Sequence, residues 1–249
     1  MDIDYSNYQR IVHYNLSQLK PEKWNFKSND FYRTILEHVT FESGNEYLQL
    51  IQKEFSEIYN TNKDLFKALA LKNDSLGSPI KYDYTFFGKI SSTNLRYIYH
   101  SLIILSYMKK LNQNTYNIVE IGGGYGGLSF YIHNLSILFD INIQSYSIFD
   151  LDYISILQKE YLKEFNIHVN TFTLGEKFNI KENSFLISNY AFSELNNSIR
   201  LQYETNVIPY CNHGFLAWNF IPIYQFTKES YVYENEKPST GNNNYFVYY

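Results

Sequence analysis

Apolar residues recur at helical spacing through the first part of the chain. Phe31, Ile35, Leu36 and Val39 fall on one face of FYRTILEHV, and Leu48, Ile51, Phe55 and Ile58 on one face of EYLQLIQKEFSEIY. KDLFKALALKND adds Leu65, Leu69 and Leu71. This spacing predicts amphipathic helices from about Asp4 to Leu71. NDSLGSP, Asn73 to Pro79, interrupts them with the residues of an irregular loop. The next helix is expected from about Leu95 to Leu111, with Ser91, Ser92 or Thr93 as its cap. A helical cap segment over 1–85 and a main domain over 86–249 follow from this break.

Beyond it the period changes. YNIVEI is a short apolar run ending in glycines, as a buried parallel strand should be. LSFYIHNLSILF then reads as a helix, IQSYSIFD as a strand and YISILQKEYLKEF as a helix. HVNTFTL and NSFLISN are the third and fourth strands. SELNNSIRLQYETNVIPY is the next helix, HGFLAWNF the fifth strand, and NYFVYY the expected edge strand. Alternating strands and helices predict an α/β, doubly wound, mostly parallel sheet, with ligands at the carboxyl ends of the strands.

Composition narrows the function. The 249 residues are 45% hydrophobic and 18% charged, which is globular. A net charge of −4 implies no basic face, so no nucleic-acid partner is expected. Cys211 stands alone, which excludes an intrachain disulfide and suits a small buried residue before a strand. MDIDYSNYQR has no apolar signal core, and no run of ~18 apolar residues occurs. A cytoplasmic chain without a membrane partner is expected. The 26 tyrosines reflect a composition bias and carry little information singly.

The first strand ends in Glu120, Gly122, Gly124 and Gly126, an E-x-G-x-G-x-G pattern that Gly123 and Tyr125 complete. Glycines permit a tight turn and close approach of a ligand to the backbone. The acid favours a cationic, donor-rich ligand and repels a pyrophosphate. Gly122, Gly124 and Gly127 also satisfy G-x-G-x-x-G, so an NAD(P)-dependent oxidoreductase is the alternative. A glycine-rich turn with no ligand is the bland reading. Asp150, followed by Leu151, closes the second strand, where an acid can take both ribose hydroxyls. It can equally cap the following helix, a role for which Asp152 competes.

Ser188, Asn189 and Tyr190 end the fourth strand, beside the expected reaction. Glu194 is a candidate general base; otherwise it is a first-turn acid favoured by the helix dipole, with Ser193 as cap. Arg96 and Tyr97 are candidate substrate contacts, or a solvated arginine and its neighbour. His100, one turn on, is a candidate base or a satisfied core histidine. Trp218 ends the fifth strand as a further substrate contact. No spacing suggests zinc or magnesium, and no G-x-S-x-G or Walker loop occurs.

Together, IVEIGGGYGGLSFYI, IFDLDYISILQKEYL, FLISNYAFSEL and GFLAWNF resemble the sugar O-methyltransferase family. DSLGSP, SSTNLRYIYHSL and EKPSTGNNN resemble it too, and the likeness runs from about Asn73 to Tyr249. The resemblance implies a class I methyltransferase (Rossmann-like) fold with a seven-stranded sheet and an N-terminal helical extension. It also implies S-adenosyl-L-methionine as donor, S-adenosyl-L-homocysteine as product, no metal, and a hydroxyl of a deoxysugar, nucleotide sugar or glycan end as acceptor. By match, Glu120, Gly122, Gly124 and Asp150 would hold the cofactor, and Ser188, Asn189 and Tyr190 would border the methyl group. Two departures stand out. Asn183 and Ser184 open the fourth strand where the family often has aspartate, and no acid follows the third strand to meet an adenine, leaving Thr173 or backbone atoms. A non-catalytic binding protein with the same fold is the remaining alternative.

Overall fold

The computed structural model describes residues 5–226 and 230–249. Asp4, where the helical reading starts, and the TKE of the tail lie outside the described residues. Five helices come first: α1 (Ser6–Leu16), α2 (Asp30–Ile35), α3 (Phe41–Glu54), α4 (Ser56–Thr61) and α5 (Lys63–Asn73). Their boundaries depart from the apolar spacing. α2 stops at Ile35 because Thr40, whose hydroxyl accepts from Ser43 N at 3.1 Å, starts the next helix. The stretch read as one helix through EYLQLIQKEFSEIY breaks at Phe55, where ψ is 35°. A small antiparallel hairpin, β1 (Tyr82–Tyr84) and β2 (Gly88–Ile90), follows and was not expected. α6 (Ser92–Lys110) comes next, with Ser91 at the cap position, although its hydroxyl donates to Asp74 Oδ1 at 2.8 Å instead.

The main sheet then forms by alternation: β3 (Thr115–Ile121), α7 (Gly127–Leu135), β4 (Asn142–Phe149), α8 (Asp152–Lys163), β5 (Asn170–Phe172) and β6 (Ser184–Asn189). α9 (Ala191–Glu194), α10 (Asn197–Asn206), β7 (Cys211–Trp218), β8 (Val232–Asn235) and β9 (Tyr245–Tyr248) complete it. The sheet order is β5-β4-β3-β6-β7-β9-β8. Strands β3 to β7 are parallel, and β9 runs antiparallel to both β7 and β8. This is the class I methyltransferase (Rossmann-like) arrangement, with seven strands and helices ahead of it. The edge position expected of NYFVYY is corrected. Its strand lies between β7 and β8, and β8, exposed throughout, forms the edge. Strand order depends on nonlocal pairing, which period-two patterning does not encode.

Residues alternate between the two faces of each strand. On β3, Tyr116 and Ile118 join one core, and Val119 and Ile121 the other. Glu120 therefore shares the face that carries α6 and α7. The first core continues without a break into the cap through Tyr8, Phe26, Tyr32, Tyr47 and Phe66. A buried polar knot ties the two together. Lys27 donates to Asn73 O at 2.7 Å and to Tyr161 Oη at 3.0 Å, with its ammonium 4.2 Å from the Tyr125 ring centroid. Burial lowers the Lys27 pKa to about 8, against the pull of Glu37 and Asp74.

The order of the sheet reverses at β3. Its neighbours β4 and β6 are reached by chain running in opposite directions, which opens a crevice at their carboxyl ends.

Candidate functional site

That crevice is built first by the glycine loop. Gly122 and Gly124 have φ of +76° and +57°, a region that L side chains rarely enter. A Cβ on Gly122 would collide with Ala191, and one on Gly124 would fall 2.9 Å from Leu36 Cδ1. The loop is thus pressed between the β6–α9 turn and the cap.

Two acids flank it. Glu120 is 1% exposed and accepts from the Tyr146 hydroxyl at 2.8 Å. Burial raises its pKa to about 7, with the Tyr146 hydrogen bond opposing and the nearby Asp150 adding to the rise. Asp150 accepts from Gly124 N at 3.1 Å, from Gln158 Nε2 at 2.8 Å and from Leu151 N at 2.8 Å. Burial raises its pKa to about 6 even so. Among the described residues neither acid forms an ion pair. The capping reading of Asp150 is corrected: Leu151 is the N-cap of α8, no side chain caps that helix, and Asp150 accepts only from the N–H of the N-cap residue itself.

The β6 end supplies the opposite wall. Asn189 shares the face of Phe185 and Ile187, and its Nδ2 lies 3.0 Å from His100 Nδ1. Its Oδ1 is buried with no partner. Tyr190 follows with a φ of +65° and donates its N–H to Ala217 O at 2.7 Å. That strained turn swings the Tyr190 ring toward Arg96, whose guanidinium carbon is 5.9 Å from the ring centroid. Arg96 is only 6% exposed, lies 5.6 Å from the Tyr97 ring centroid, and donates to Leu36 O at 2.9 Å. The bland reading of Arg96 as a solvated residue is therefore corrected.

Other predicted contacts are absorbed by packing. The Ser188 hydroxyl donates to Ile121 O at 2.9 Å and accepts from Phe192 N at 3.0 Å, splicing the end of β6 to that of β3. Tyr125 packs its ring against Phe26, Tyr97 and Tyr161 in the cap core. Trp218 is fully buried on the other face, and its indole N–H donates to Ile221 O at 2.8 Å. Those two side chains have no free face for a ligand. His100 is fully buried among Tyr47, Tyr190 and Phe246, and burial, with Arg96 adding, lowers its pKa to about 3. With Nδ1 facing the Asn189 amide, it is poorly suited to take up a proton. It is a core histidine but not a satisfied one, because among the described residues its buried Nε2 has no hydrogen-bond partner.

Glu194 fares differently. The long helix starts at Asn197 and is capped by Asn196, which accepts from Ile199 N at 3.0 Å. Glu194 therefore lies outside its first turn, and Ser193 donates to Asn219 Oδ1 at 2.6 Å rather than capping it. The Glu194 carboxylate accepts from Asn219, and burial raises its pKa against that bond. The start of α1 lies over this acid. Burial, then Glu194 and Asp150, raise the Tyr5 phenol to about 12.

Sequence reasoning missed Glu236. It is 3% exposed, and its carboxylate accepts from the Tyr190 hydroxyl, Thr240 N (2.9 Å), Thr240 Oγ1 (2.6 Å) and Asn244 Nδ2 (2.9 Å). EKPSTGNNN was the available signal, because an acid among turn residues is the composition of a closed polar loop. Among the described residues no three His, Cys, Asp or Glu side chains are grouped to hold a metal. Nor is any helix among them long and apolar enough to cross a membrane.

No family model and no curated relative matches the chain. Solved structures resemble it only in part. A candidate S-adenosyl-L-methionine-dependent methyltransferase of Methanococcus maripaludis aligns over 48% of this chain and 55% of its own, at 12% identity and a TM-score of 0.38. The amino pentose methyltransferase CalS10 of Micromonospora echinaspora aligns over 55% and 57%, at 10% identity and 0.40. Thermoplasma acidophilum 1320 aligns over 74% and 95%, at 14% identity and 0.41. The chain thus spans little more than half the length of the first two. Likeness at this level carries no argument about chemistry.

Proposed function

We propose that the protein is an S-adenosylmethionine-dependent O-methyltransferase acting on a sugar hydroxyl. One observation carries the donor. Glu120 and Asp150, at the ends of adjacent parallel strands, are buried and raised in pKa beside a left-handed glycine loop, and neither has a cation. A ligand with an ammonium and a sulfonium is the complement such a site lacks, whereas a pyrophosphate would add a third negative group. The residues present therefore fit the donor. The acceptor assignment rests on the resemblance of SNYAFSEL and EKPSTGNNN to the sugar O-methyltransferase family.

In this reading Glu120 sets the negative field at the loop, and the backbone at Gly122, Gly123 and Gly124 admits the ligand closely. Asp150 accepts from the ribose hydroxyls, and Leu151 gives an apolar edge. Bound S-adenosylmethionine supplies an electrophilic methyl group on sulfur. Asn189, with its unpartnered Oδ1, and Tyr190 border that methyl, while Arg96 and Tyr97 close the acceptor side. Holding the hydroxyl oxygen in line supplies much of the rate. Glu194 would accept the proton of the acceptor hydroxyl as that oxygen takes up the methyl group. Ser188 contributes only by fixing the strand ends.

Thermal-shift titration tests the donor. Stabilisation by S-adenosylhomocysteine and none by NADH is expected; the reverse establishes the oxidoreductase alternative. Mass spectrometry of nucleotide sugars and glycans incubated with isotope-labelled donor tests the acceptor. Label on proteins or nucleic acids but on no sugar would sink the sugar reading.

A further inference from the structure

The α2–α3 turn, the β1–β2 hairpin and the start of α6 enclose a second cavity, of about 240 Å3. Glu37, Thr40, Phe41, Tyr82, Ser92 and Thr93 line it. Glu37 Oε1 is buried there with no hydrogen-bond partner. Phe41 and Tyr82 form an aromatic wall, their ring centroids 5.8 Å apart, and Phe41 keeps 37% of its surface exposed.

The chemistry of this lining selects a ligand. Two acids, Glu37 and Glu42, are matched by two bases, Lys27 and Arg33, so the walls favour neither an anion nor a cation. The lining combines hydroxyls (Thr40, Ser92, Thr93) and carboxylates (Glu37, Glu42) with the rings of Phe41 and Tyr82. A neutral ring with hydroxyl donors at its edge and C–H bonds on its faces fits both. The volume falls below the ~300 Å3 at which drug-sized sites begin, so one ring fills it.

The cavity adjoins the transfer crevice. His38 lines it and lies 3.4 Å from Arg96 Nη1, and Arg96 reaches Tyr190 on the other side. Leu36, next to Glu37, fills the side of Gly124 where a Cβ would stand.

We infer that this cavity holds a second sugar unit of the acceptor, next to the unit that is methylated. The acceptor is then a disaccharide or longer glycan rather than a free monosaccharide. The inference rests on the sugar-methyltransferase reading for that continuity, but the cavity's own affinity for a sugar ring does not.

Saturation-transfer NMR separates the two. The probes are the methyl glycosides of D-glucose, D-mannose, L-rhamnose and N-acetyl-D-glucosamine, without cofactor. We expect transfer to at least one glycoside, weakened about fivefold or more by Phe41→Ala and by Glu37→Gln. Retained S-adenosylhomocysteine binding by both cavity variants shows that they fold. No transfer to any of the four, or transfer unaffected by both cavity variants, overturns the inference. Glycoside binding at the cavity with no S-adenosylhomocysteine binding by the wild-type protein would overturn the cofactor reading and leave the sugar site standing.

Discussion

The hydroxyl of Tyr190 donates to the carboxylate of Glu236, joining the end of β6 to a loop 46 residues further along. Glu236 gathers three more donors, from Thr240 and Asn244, and is buried. The tail motif thus supplies a fixed acceptor that holds the aromatic residue beside the transfer site. Glu236→Ala removes the shared acceptor of the Tyr190 hydroxyl, the exposed Thr240 and the buried Asn244 amide. It should lower stability by about 3 kcal/mol in urea denaturation. A loss below about 0.5 kcal/mol would mean that water replaces the carboxylate.

Asp150 ties the two halves of the cofactor crevice, because it holds Gly124 of the loop and Leu151 at the start of α8. Asp150→Ala removes both a ribose acceptor and the brace on the loop. S-adenosylhomocysteine should bind at least tenfold more weakly, about 1.4 kcal/mol, by calorimetry. Unchanged affinity would remove Asp150 from the site.

The two crevice acids make the ligand-free protein sensitive to pH. Burial lifts the Glu120 pKa in the folded state to about 7 from an ordinary value of 4.5, so the folded state keeps a proton that the unfolded chain releases. Stability is therefore lost as pH rises through the window from 4.5 to about 7, by on the order of 3 kcal/mol for this group. Glu120→Gln should raise the melting temperature at about pH 8 and leave it nearly unchanged at about pH 4. The same variant should weaken S-adenosylmethionine binding, because the field that destabilises the empty site attracts the cation. A variant less stable than wild type at the higher pH would show that the Glu120 carboxylate is compensated by a partner.

How much of this was legible depended on whether the information was local. The glycine loop, Glu120 and Asp150 lie within 31 residues and follow from strand ends and turn chemistry. Alternation of strand and helix gave the parallel part of the sheet. A final strand pair fitted the tail, but its order was not legible, since β9 inserts between β7 and β8 by long-range pairing. Nothing local marks Lys27 as buried, and only the assembled aromatic rings of Phe26, Tyr125 and Tyr161 give it that position. Trp218 read as a ligand contact because it ends a strand, but the chain after it folds back and covers the indole. His100 is a related case: the helix pattern located it at the crevice, and only the rings around it revealed that it is sealed.

Glu194 and His100 are the two candidate bases of the proposed reaction, and the structure gives them opposite character. His100 stays neutral down to about pH 3 and is enclosed. Glu194 is partly exposed, acts electrostatically on Tyr5, and is held by Asn219 at a burial-raised pKa. A base with that character loses its function as pH falls through its own pKa, so kcat should decline on the acid side. Glu194→Gln keeps the bond to Asn219 and removes only the charge. It should lower kcat about 100-fold, the lower end of what a positioned base contributes, and leave S-adenosylhomocysteine affinity within about twofold. The acid limb of the kcat profile should disappear with it. A fall in cofactor affinity equal to the fall in kcat would assign Glu194 to holding the loop. Full turnover with an intact acid limb would move the search for the base to the Tyr190–Glu236 pair.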